Sequence, residues 1–203
     1  MSSAATPAPS PKDNVLRAAV FDLDGTLVDS RRAVVDAVAA GVREVLDRHG
    51  IENVEPRDED IMSAMGLPPG QYYQRILPEE LHHLAPEVKE ASTRHEVEAL
   101  AGGRGQLYPG VKETLTGLRR REVRLAVISN AQEPYFVAAV RYLGLSELMD
   151  HSECHEQLPA EAGEGKPVLL RRALDILGVE PGRAVMVGDR REDIAAGRDL
   201  GCR

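Results

Sequence analysis

The chain has 203 residues, of which 42% are hydrophobic and 29% are charged, a composition typical of an ordinary globular protein. Its formal net charge of −8 argues against broad binding to nucleic acid or to an anionic membrane, although a small anion could still occupy a locally positive pocket. The sequence shows no long apolar run, no secretory signal and only two isolated cysteines, so we expect a cytoplasmic protein without a transmembrane helix or a disulfide framework.

The N-terminal part of the chain combines a polar tail with a short apolar strand. Residues 1–13 are rich in Ser, Ala and Pro without periodicity, which predicts a disordered tail. An apolar strand is expected over about 17–21, and Asp22 and Asp24 follow it directly. Because side chains two residues apart project the same way from extended backbone, both carboxylates could address one ligand. Two acids this close repel each other unless a cation or a shared proton intervenes, and a hard ion such as Mg²⁺ prefers oxygen ligands.

The stretch from residue 30 to residue 105 shows only helical patterns. The helices expected from apolar residues at helical spacing cover about 31–48, 58–65, 71–77 and 78–100. Ser30 is the expected N-cap of the first of them. The sequence Gly66-Leu67-Pro68-Pro69-Gly70 breaks the pattern, and residues 101–105 form a glycine-rich joint. We therefore expect a small helical domain inserted after the first strand.

Beyond this insert, apolar strands alternate with helices, which predicts a parallel sheet with helices on its faces. The expected helices cover 111–121, 134–143 and 167–177, with a last helix starting at Asp193. The expected strands cover 125–128 and 184–187, with a weak strand near 148–151.

Polar side chains follow each of the three clear strands. The first strand is followed by Asp22 and Asp24, and the other two are followed by Ser129 and Asp189. Because ligand sites in parallel sheets lie at the carboxyl ends of the strands, these groups should meet in one place. Lys166, in the loop before a helix, can add a positive charge there. Carboxylates, a hydroxyl and a lysine suit Mg²⁺-assisted phosphoryl transfer.

In these motifs the chain resembles the haloacid dehalogenase superfamily of phosphohydrolases, in particular its phosphoglycolate-phosphatase-like branch with a helical cap. The first motif, Asp22-Leu23-Asp24-Gly25-Thr26-Leu27-Val28-Asp29-Ser30, is nearly complete and highly specific. Ser129 fits the second motif, Lys166-Pro167 the third, and Gly188-Asp189-Arg190-Arg191-Glu192-Asp193 the fourth. These three are weak singly, but they occur in the order and spacing of the family.

The resemblance implies an α/β fold with a Rossmann-like parallel sheet. The core would comprise residues 14–29 and 106–203, and the all-helical cap would comprise residues 30–105. Joints near 29–31 and 102–105 would act as hinges when the cap closes over the site.

The resemblance also implies a role for each acid. Asp22 would attack phosphorus and form an aspartyl-phosphate. Asp24 would protonate the leaving oxygen and then activate the water that hydrolyses this intermediate. Asp22, the backbone carbonyl of Asp24 and Asp189 would hold Mg²⁺. Asp193 would orient Lys166 or a metal-bound water, although it could also serve only as a helix cap.

The remaining candidate residues would bind the substrate. Ser129 and Lys166 would neutralise the phosphoryl oxygens. Taken singly, Ser129 could merely cap the next turn, and Lys166 could be a solvated surface charge. Candidate substrate contacts are Thr26, Asn130, Gly66 and Leu67, the last two because their loop resembles the specificity loop of related helical caps.

We therefore expect a Mg²⁺-dependent phosphatase that acts on a small phosphorylated metabolite, without nucleic acid or membrane as a partner. A sugar phosphomutase similar to β-phosphoglucomutase would use the same core and return the phosphoryl group to its substrate. Members of the family usually continue past the fourth motif with another strand and helix, whereas this chain stops where that edge strand would start. A truncated, non-catalytic binding or regulatory protein is therefore a third possibility, against which the intact motif residues argue.

Overall fold

The structure, a computed structural model, describes residues 15–65, 67, 69–163 and 165–203, without the side chains of residues 32, 69, 70 and 160. The expected disordered tail lies outside the described residues. Within these ranges, no helix is both long and apolar enough to cross a membrane.

A four-stranded parallel sheet lies at the centre of the molecule. Its strands are β1 (Ala18–Phe21), β2 (Arg124–Ser129), β3 (His151–Cys154) and β4 (Ala184–Val187). They are ordered β3-β2-β1-β4, and Ala18 of β1 lies opposite Arg124 of β2 and Ala184 of β4. The expected α/β class with a parallel sheet is confirmed. All strands run the same way, so their carboxyl ends share one edge, where ligand sites of such sheets lie.

The helices follow the expected order with small changes of length. They are α1 (Arg31–Arg48), α2 (Asp58–Ala64), α3 (Pro69–Ile76), α4 (Ala85–Ala101), α5 (Val111–Arg120), α6 (Glu133–Tyr142), α7 (Lys166–Leu177) and α8 (Arg191–Asp199). Short 3₁₀ helices cover Glu79–Leu84, His155–Gln157, Ala160–Ala162 and Pro181–Arg183. The helix expected over 78–100 is therefore divided, with its first part wound as a 3₁₀ helix.

The two faces of the sheet are buried against different helices. In β1, Ala18 and Val20 belong to an apolar cluster that includes Leu170 of α7 and Ala196 of α8. The alternate residue Phe21 belongs to the larger cluster on the opposite face, which continues into α6 and the helical insert. Burial on both faces explains why β1 and β2 are continuous apolar runs rather than alternating ones.

The predicted position of the strand near 148–151 is wrong, because the strand begins later in the chain, at His151. The backbone N–H groups of Leu148 and Met149 bond to the carbonyl of Leu145 at 2.9 and 3.0 Å, which closes a helical turn there. Pairing with β2 begins only at His151.

Two helix starts also differ from expectation. Ser30 does not cap α1 with its side chain, because its own backbone is already helical, at φ −87° and ψ −15°. The last helix begins at Arg191, before the expected Asp193. Asp193 acts from inside this helix, where its carboxylate accepts the N–H of Arg190 at 3.2 Å.

Every described secondary-structure element between residues 31 and 101 is helical. The two connections to the insert lie side by side: Asp29 N–H bonds to the carbonyl of Gln106, and Tyr108 N–H bonds to the carbonyl of Leu27, each at 3.0 Å. This arrangement suits a domain inserted after β1. The division into core and cap, and the hinges, stay predictions.

Candidate active site

A cavity of about 110 Å³ lies at the carboxyl ends of β1 and β2, between the sheet and the helical insert. Residues from the sheet side and from the insert both line it. The predicted site residues that it brings together are Asp22, Asp24, Ser129, Asn130, Lys166, Asp193 and Leu67.

A buried ion-pair cluster lies at the sheet end of this cavity. Lys166 is only 5% exposed, so it is not a solvated surface charge. Its Nζ pairs with Asp22 Oδ1, donates a hydrogen bond to the carbonyl of Ile128 at 3.1 Å and lies 3.2 Å from Asp193 Oδ1. The ammonium is thus held among two carboxylates and one carbonyl, all supplied by different elements.

The local backbone explains how Lys166 reaches this place. Gly165, immediately before α7, has a φ of +89°, which residues other than glycine rarely adopt. Lys166 then starts α7 and points its side chain beneath the ends of β1 and β2.

Burial is the main influence on the pKa of Asp22, the proposed nucleophile. Desolvation raises the pKa of Asp22 to about 6, while the nearby charge of Lys166 opposes this rise. Asp22 is therefore mainly ionised at neutral pH, the state in which a carboxylate can act as a nucleophile.

Three carboxylates could hold a metal ion. Asp22, Asp189 and Asp193 each offer an oxygen atom, and these oxygens all lie within 4.8 Å of one another. Such a set of hard oxygen donors fits Mg²⁺. The carboxylate of Asp24 does not belong to this cluster, and Asp193 takes the third place. The metal role expected for Asp24 concerned its backbone carbonyl.

Two glycines let these acids approach the backbone closely. Gly25 has a φ of +81°, and a Cβ atom at this position would clash with the carboxylate of Asp189. A Cβ atom at Gly188 would likewise clash with Asp193. The glycines of the first and fourth motifs are therefore required by the packing of the acidic cluster.

Asp24 has a different environment from Asp22. The hydroxyl of Tyr135, from α6, donates a hydrogen bond to Asp24 Oδ1 at 2.6 Å. Burial raises the pKa of Asp24, and the hydrogen bond from Tyr135 opposes the rise because it favours the ionised form. The two aspartates of the first motif thus have different partners, a lysine for one and a phenol for the other, as expected of two groups with different roles.

Replacing Tyr135 by phenylalanine should raise the pKa of Asp24, because the ionised carboxylate loses a hydrogen-bond donor. We expect the limb of the pH–rate profile that reports Asp24 to move to higher pH, by about half a unit to one unit. The profile of kcat for Tyr135→Phe measures this shift. An unchanged profile, with Tyr142→Phe as an exposed control on the same helix, would show that the hydrogen bond does not tune Asp24.

Sequence reasoning missed Glu96 of α4. This carboxylate lines the cavity, is 9% exposed and has no hydrogen-bond or ion-pair partner among the described residues. Burial and the charge of Asp24 raise its pKa to about 8. Tyr135 and Arg190 also line the cavity without having been singled out. No local pattern marks Glu96 or Tyr135, because each lies within an ordinary amphipathic helix.

Two of the residues predicted to contact the substrate, Thr26 and Gly66, are not among the described residues that line the cavity. The hydroxyl of Thr26 is buried elsewhere, and Gly66 lies outside the described residues. Leu67 and Asn130 do line the cavity, and their roles stay predictions.

The family model and the relatives that match this chain point to the same family. The model of the haloacid dehalogenase-like hydrolases matches residues 16–201. A phosphoglycolate phosphatase of Chromobacterium violaceum is 32% identical over 191 residues, which cover 92% of this chain and 82% of that protein. A phosphoglycolate phosphatase of Aquifex aeolicus is 29% identical over 186 residues, again covering 92% and 82% of the two chains.

Solved structures agree in fold. A predicted phosphoglycolate phosphatase from Haemophilus somnus superposes with a TM-score of 0.76 at 24% identity, over 92% of this chain and 83% of that one. CbbY from Rhodobacter sphaeroides, in complex with phosphate, superposes with a TM-score of 0.74 at 25% identity, over 93% and 84% of the two chains.

Proposed function

This chain belongs to the haloacid dehalogenase-like hydrolases, and on that premise we propose that it is a Mg²⁺-dependent phosphatase that hydrolyses a small phosphorylated metabolite. The observation that carries the proposal is the position of Asp22. Asp22 directly follows β1, and its carboxylate pairs with the buried Lys166 and shares one cavity with Asp24. These are the parts required for transfer of a phosphoryl group to an enzyme carboxylate and then to water.

In the first step, a carboxylate oxygen of Asp22 attacks phosphorus, and the bond from phosphorus to the ester oxygen breaks. Asp24 gives its proton to the departing oxygen, so that the leaving group is released as a neutral alcohol. The raised pKa of Asp24 suits this role, because more of the acid is protonated at neutral pH. Lys166 and Ser129, which line the same cavity, would stabilise the negative charge on the phosphoryl oxygens.

In the second step, Asp24, now ionised, takes a proton from water. That water attacks phosphorus, and the bond to Asp22 breaks to give inorganic phosphate and the free carboxylate. Tyr135 supports this step, because its hydroxyl stabilises the ionised form of Asp24 that serves as the base. Asp24 is thereby returned to its protonated form for the next cycle.

The acidic cluster of Asp22, Asp189 and Asp193 would hold Mg²⁺, with the Asp24 carbonyl as a further ligand. When bound, the ion would supply positive charge that offsets the charge of the phosphoryl group and of the cluster itself. The proposal on Mg²⁺ is supported by the donor set, since three close carboxylates otherwise repel one another.

A panel of small phosphate esters, assayed with and without Mg²⁺, tests the function directly. We expect phosphate release with Mg²⁺, loss of activity after exhaustive chelation, and recovery when Mg²⁺ is returned. Ca²⁺ should inhibit, because its larger and looser coordination shell disturbs in-line geometry. 2-Phosphoglycolate belongs in the panel because of the relatives' names, and hexose phosphates belong there to reveal isomerisation. Full activity after chelation would contradict the metal requirement.

A further inference from the structure

The side of the cavity formed by the helical insert has a distinct chemistry. Its described side chains are Val34, Met65, Leu67, Tyr72, Tyr73 and Glu96. None of these described side chains is cationic. Among the described residues that line the cavity, the cations are Lys166 and Arg190, which come from the starts of α7 and α8 on the sheet side.

Two polar groups on the insert side are unpartnered among the described residues. The hydroxyl of Tyr72 is buried without a hydrogen bond. The Glu96 carboxylate lines the cavity and has neither a hydrogen bond nor an ion pair with another described residue. The neighbouring Tyr73 differs, because its hydroxyl accepts a hydrogen bond from Gln132 Nε2 at 2.9 Å. Buried polar groups normally have partners, and leaving one unsatisfied costs about 1–3 kcal/mol. Tyr72 and Glu96 are therefore places where a ligand can supply the missing partner.

These two groups lie on the path of the leaving group. Glu96 and Tyr72 line the same cavity as Asp24, the proposed acid. A phosphate ester whose bridging oxygen meets Asp24 must extend the rest of its leaving group away from the sheet, toward the insert. There it meets Glu96, Tyr72 and an apolar wall that includes Leu67.

Resting on the phosphatase function proposed above, we propose that Glu96 and Tyr72 form a leaving-group subsite that selects phosphate esters with an uncharged, hydroxyl-bearing leaving group over esters with a carboxylate.

The selection follows from hydrogen bonding. A substrate hydroxyl can both donate and accept, so it satisfies Tyr72 as donor and Glu96 as acceptor. The match holds in either protonation state of Glu96, since a carboxyl group can accept when ionised and can do both when neutral. A substrate analogue that lacks this hydroxyl leaves the buried groups of the site without hydrogen-bond partners. Such a site therefore discriminates against the analogue more strongly than an apolar pocket discriminates against a missing methylene.

A carboxylate in the same place would be disfavoured at a pH above the Glu96 pKa of about 8, where Glu96 is mainly ionised. The substrate carboxylate would then be buried beside a second negative charge, with no described cation on the insert side. Burying a charge without a charged partner is costly, and an ionised Glu96 would repel it outright. The subsite thus disfavours the anionic end of 2-phosphoglycolate.

Three esters that differ only at the terminal group test this selection: ethyl phosphate, 2-hydroxyethyl phosphate and 2-phosphoglycolate. With Mg²⁺, and at about one pH unit above the Glu96 pKa of about 8, wild-type kcat/KM should be at least about tenfold higher for 2-hydroxyethyl phosphate than for either of the others. The difference should appear mainly in KM, because the subsite binds a part of the substrate that does not react.

Two variants separate the two contacts. Glu96→Gln keeps the shape but cannot be ionised, so at about one pH unit above the Glu96 pKa of about 8 the ratio of kcat/KM for 2-phosphoglycolate to that for ethyl phosphate should rise by about fivefold or more. Tyr72→Phe removes only the hydroxyl, so the advantage of 2-hydroxyethyl phosphate over ethyl phosphate should fall by a similar factor. Glu98→Gln, an exposed substitution on the same helix outside the cavity, is the matched control and should leave all ratios unchanged.

The outcomes distinguish this inference from the function on which it rests. A wild-type preference for 2-phosphoglycolate, or ratios unchanged in a folded Glu96→Gln protein, would overturn the subsite while ethyl phosphate hydrolysis still upholds the phosphatase. Absence of phosphate release from every ester would overturn both.

Discussion

Asp22→Asn should lower kcat for phosphate release by about 10⁴-fold or more while leaving the protein folded. The amide has nearly the same shape as the carboxylate, but it cannot attack phosphorus to form an acyl phosphate. Lys166 loses its closest carboxylate but keeps Asp193 and the carbonyl of Ile128 as partners, so its charge stays compensated. Phosphate release and circular dichroism on the same sample measure the two parts of this prediction.

An exposed aspartate provides the control for Asp22. Asp36→Asn, on the exposed face of α1, makes the same chemical change away from the cavity and should keep wild-type turnover. If a folded Asp22→Asn protein still released phosphate, this result would contradict the assignment of Asp22 as the nucleophile.

Lys166→Met should lower kcat by about 10³-fold and destabilise the metal-free protein at neutral pH. The substitution leaves Asp22 and Asp193 buried close together without a cation. Asp22 already has its pKa raised to about 6, from an ordinary value of 3.8, and removal of Lys166 should raise it further.

The sign of the pH dependence follows from this shift. In the variant the pKa of Asp22 lies above the wild-type value of about 6, so at a pH above both values the folded variant holds an ionised carboxylate without the lysine that compensates it in wild type. The stability deficit relative to wild type should therefore be largest at high pH, shrink as the pH falls toward about 6, and stay constant below that, where Asp22 is protonated in both folded proteins. Thermal unfolding in the presence of a chelator, at a series of pH values, measures the deficit.

Lys89→Met is the matched control for this prediction. Lys89 pairs with Glu156 at 2.6 Å, but this pair lies at the surface, so its loss should cost at most about 1 kcal/mol. A deficit for Lys166→Met no larger than that of the control, and independent of pH, would show that Lys166 does not compensate the acidic cluster.

The sequence was sufficient to predict the sheet end of the site. Apolar runs locate the strands, and the carboxyl ends of neighbouring parallel strands lie at one edge of the sheet, so the sequence alone predicts that Asp22 and Ser129 lie close together. Lys166 is predicted from its loop position and supported by the family resemblance, but a lysine before a helix is usually solvated, so its burial is not predicted from the residues alone. The burial of Lys166 depends on the left-handed backbone conformation of Gly165, which a single glycine in the sequence is not enough to predict.

The insert side could not be predicted in the same way. Glu96 and Tyr135 lie in amphipathic helices, and which residue of a helix faces the cavity depends on how α4 and α6 pack against the sheet. The pattern of apolar residues fixes the buried face of such a helix, but a polar residue at its margin can point to solvent or to a ligand. The capping role expected for Ser30 failed for a related reason, since its backbone had already joined the helix.

The stereochemistry at phosphorus tests the two-step mechanism most directly. An ester made chiral at phosphorus with oxygen isotopes and sulfur can be hydrolysed by the wild-type protein with Mg²⁺, and the configuration of the thiophosphate product can then be determined. Attack by Asp22 followed by attack of water inverts the configuration twice, so the account predicts net retention. Net inversion would mean that water attacks the substrate directly, and it would contradict an intermediate on Asp22.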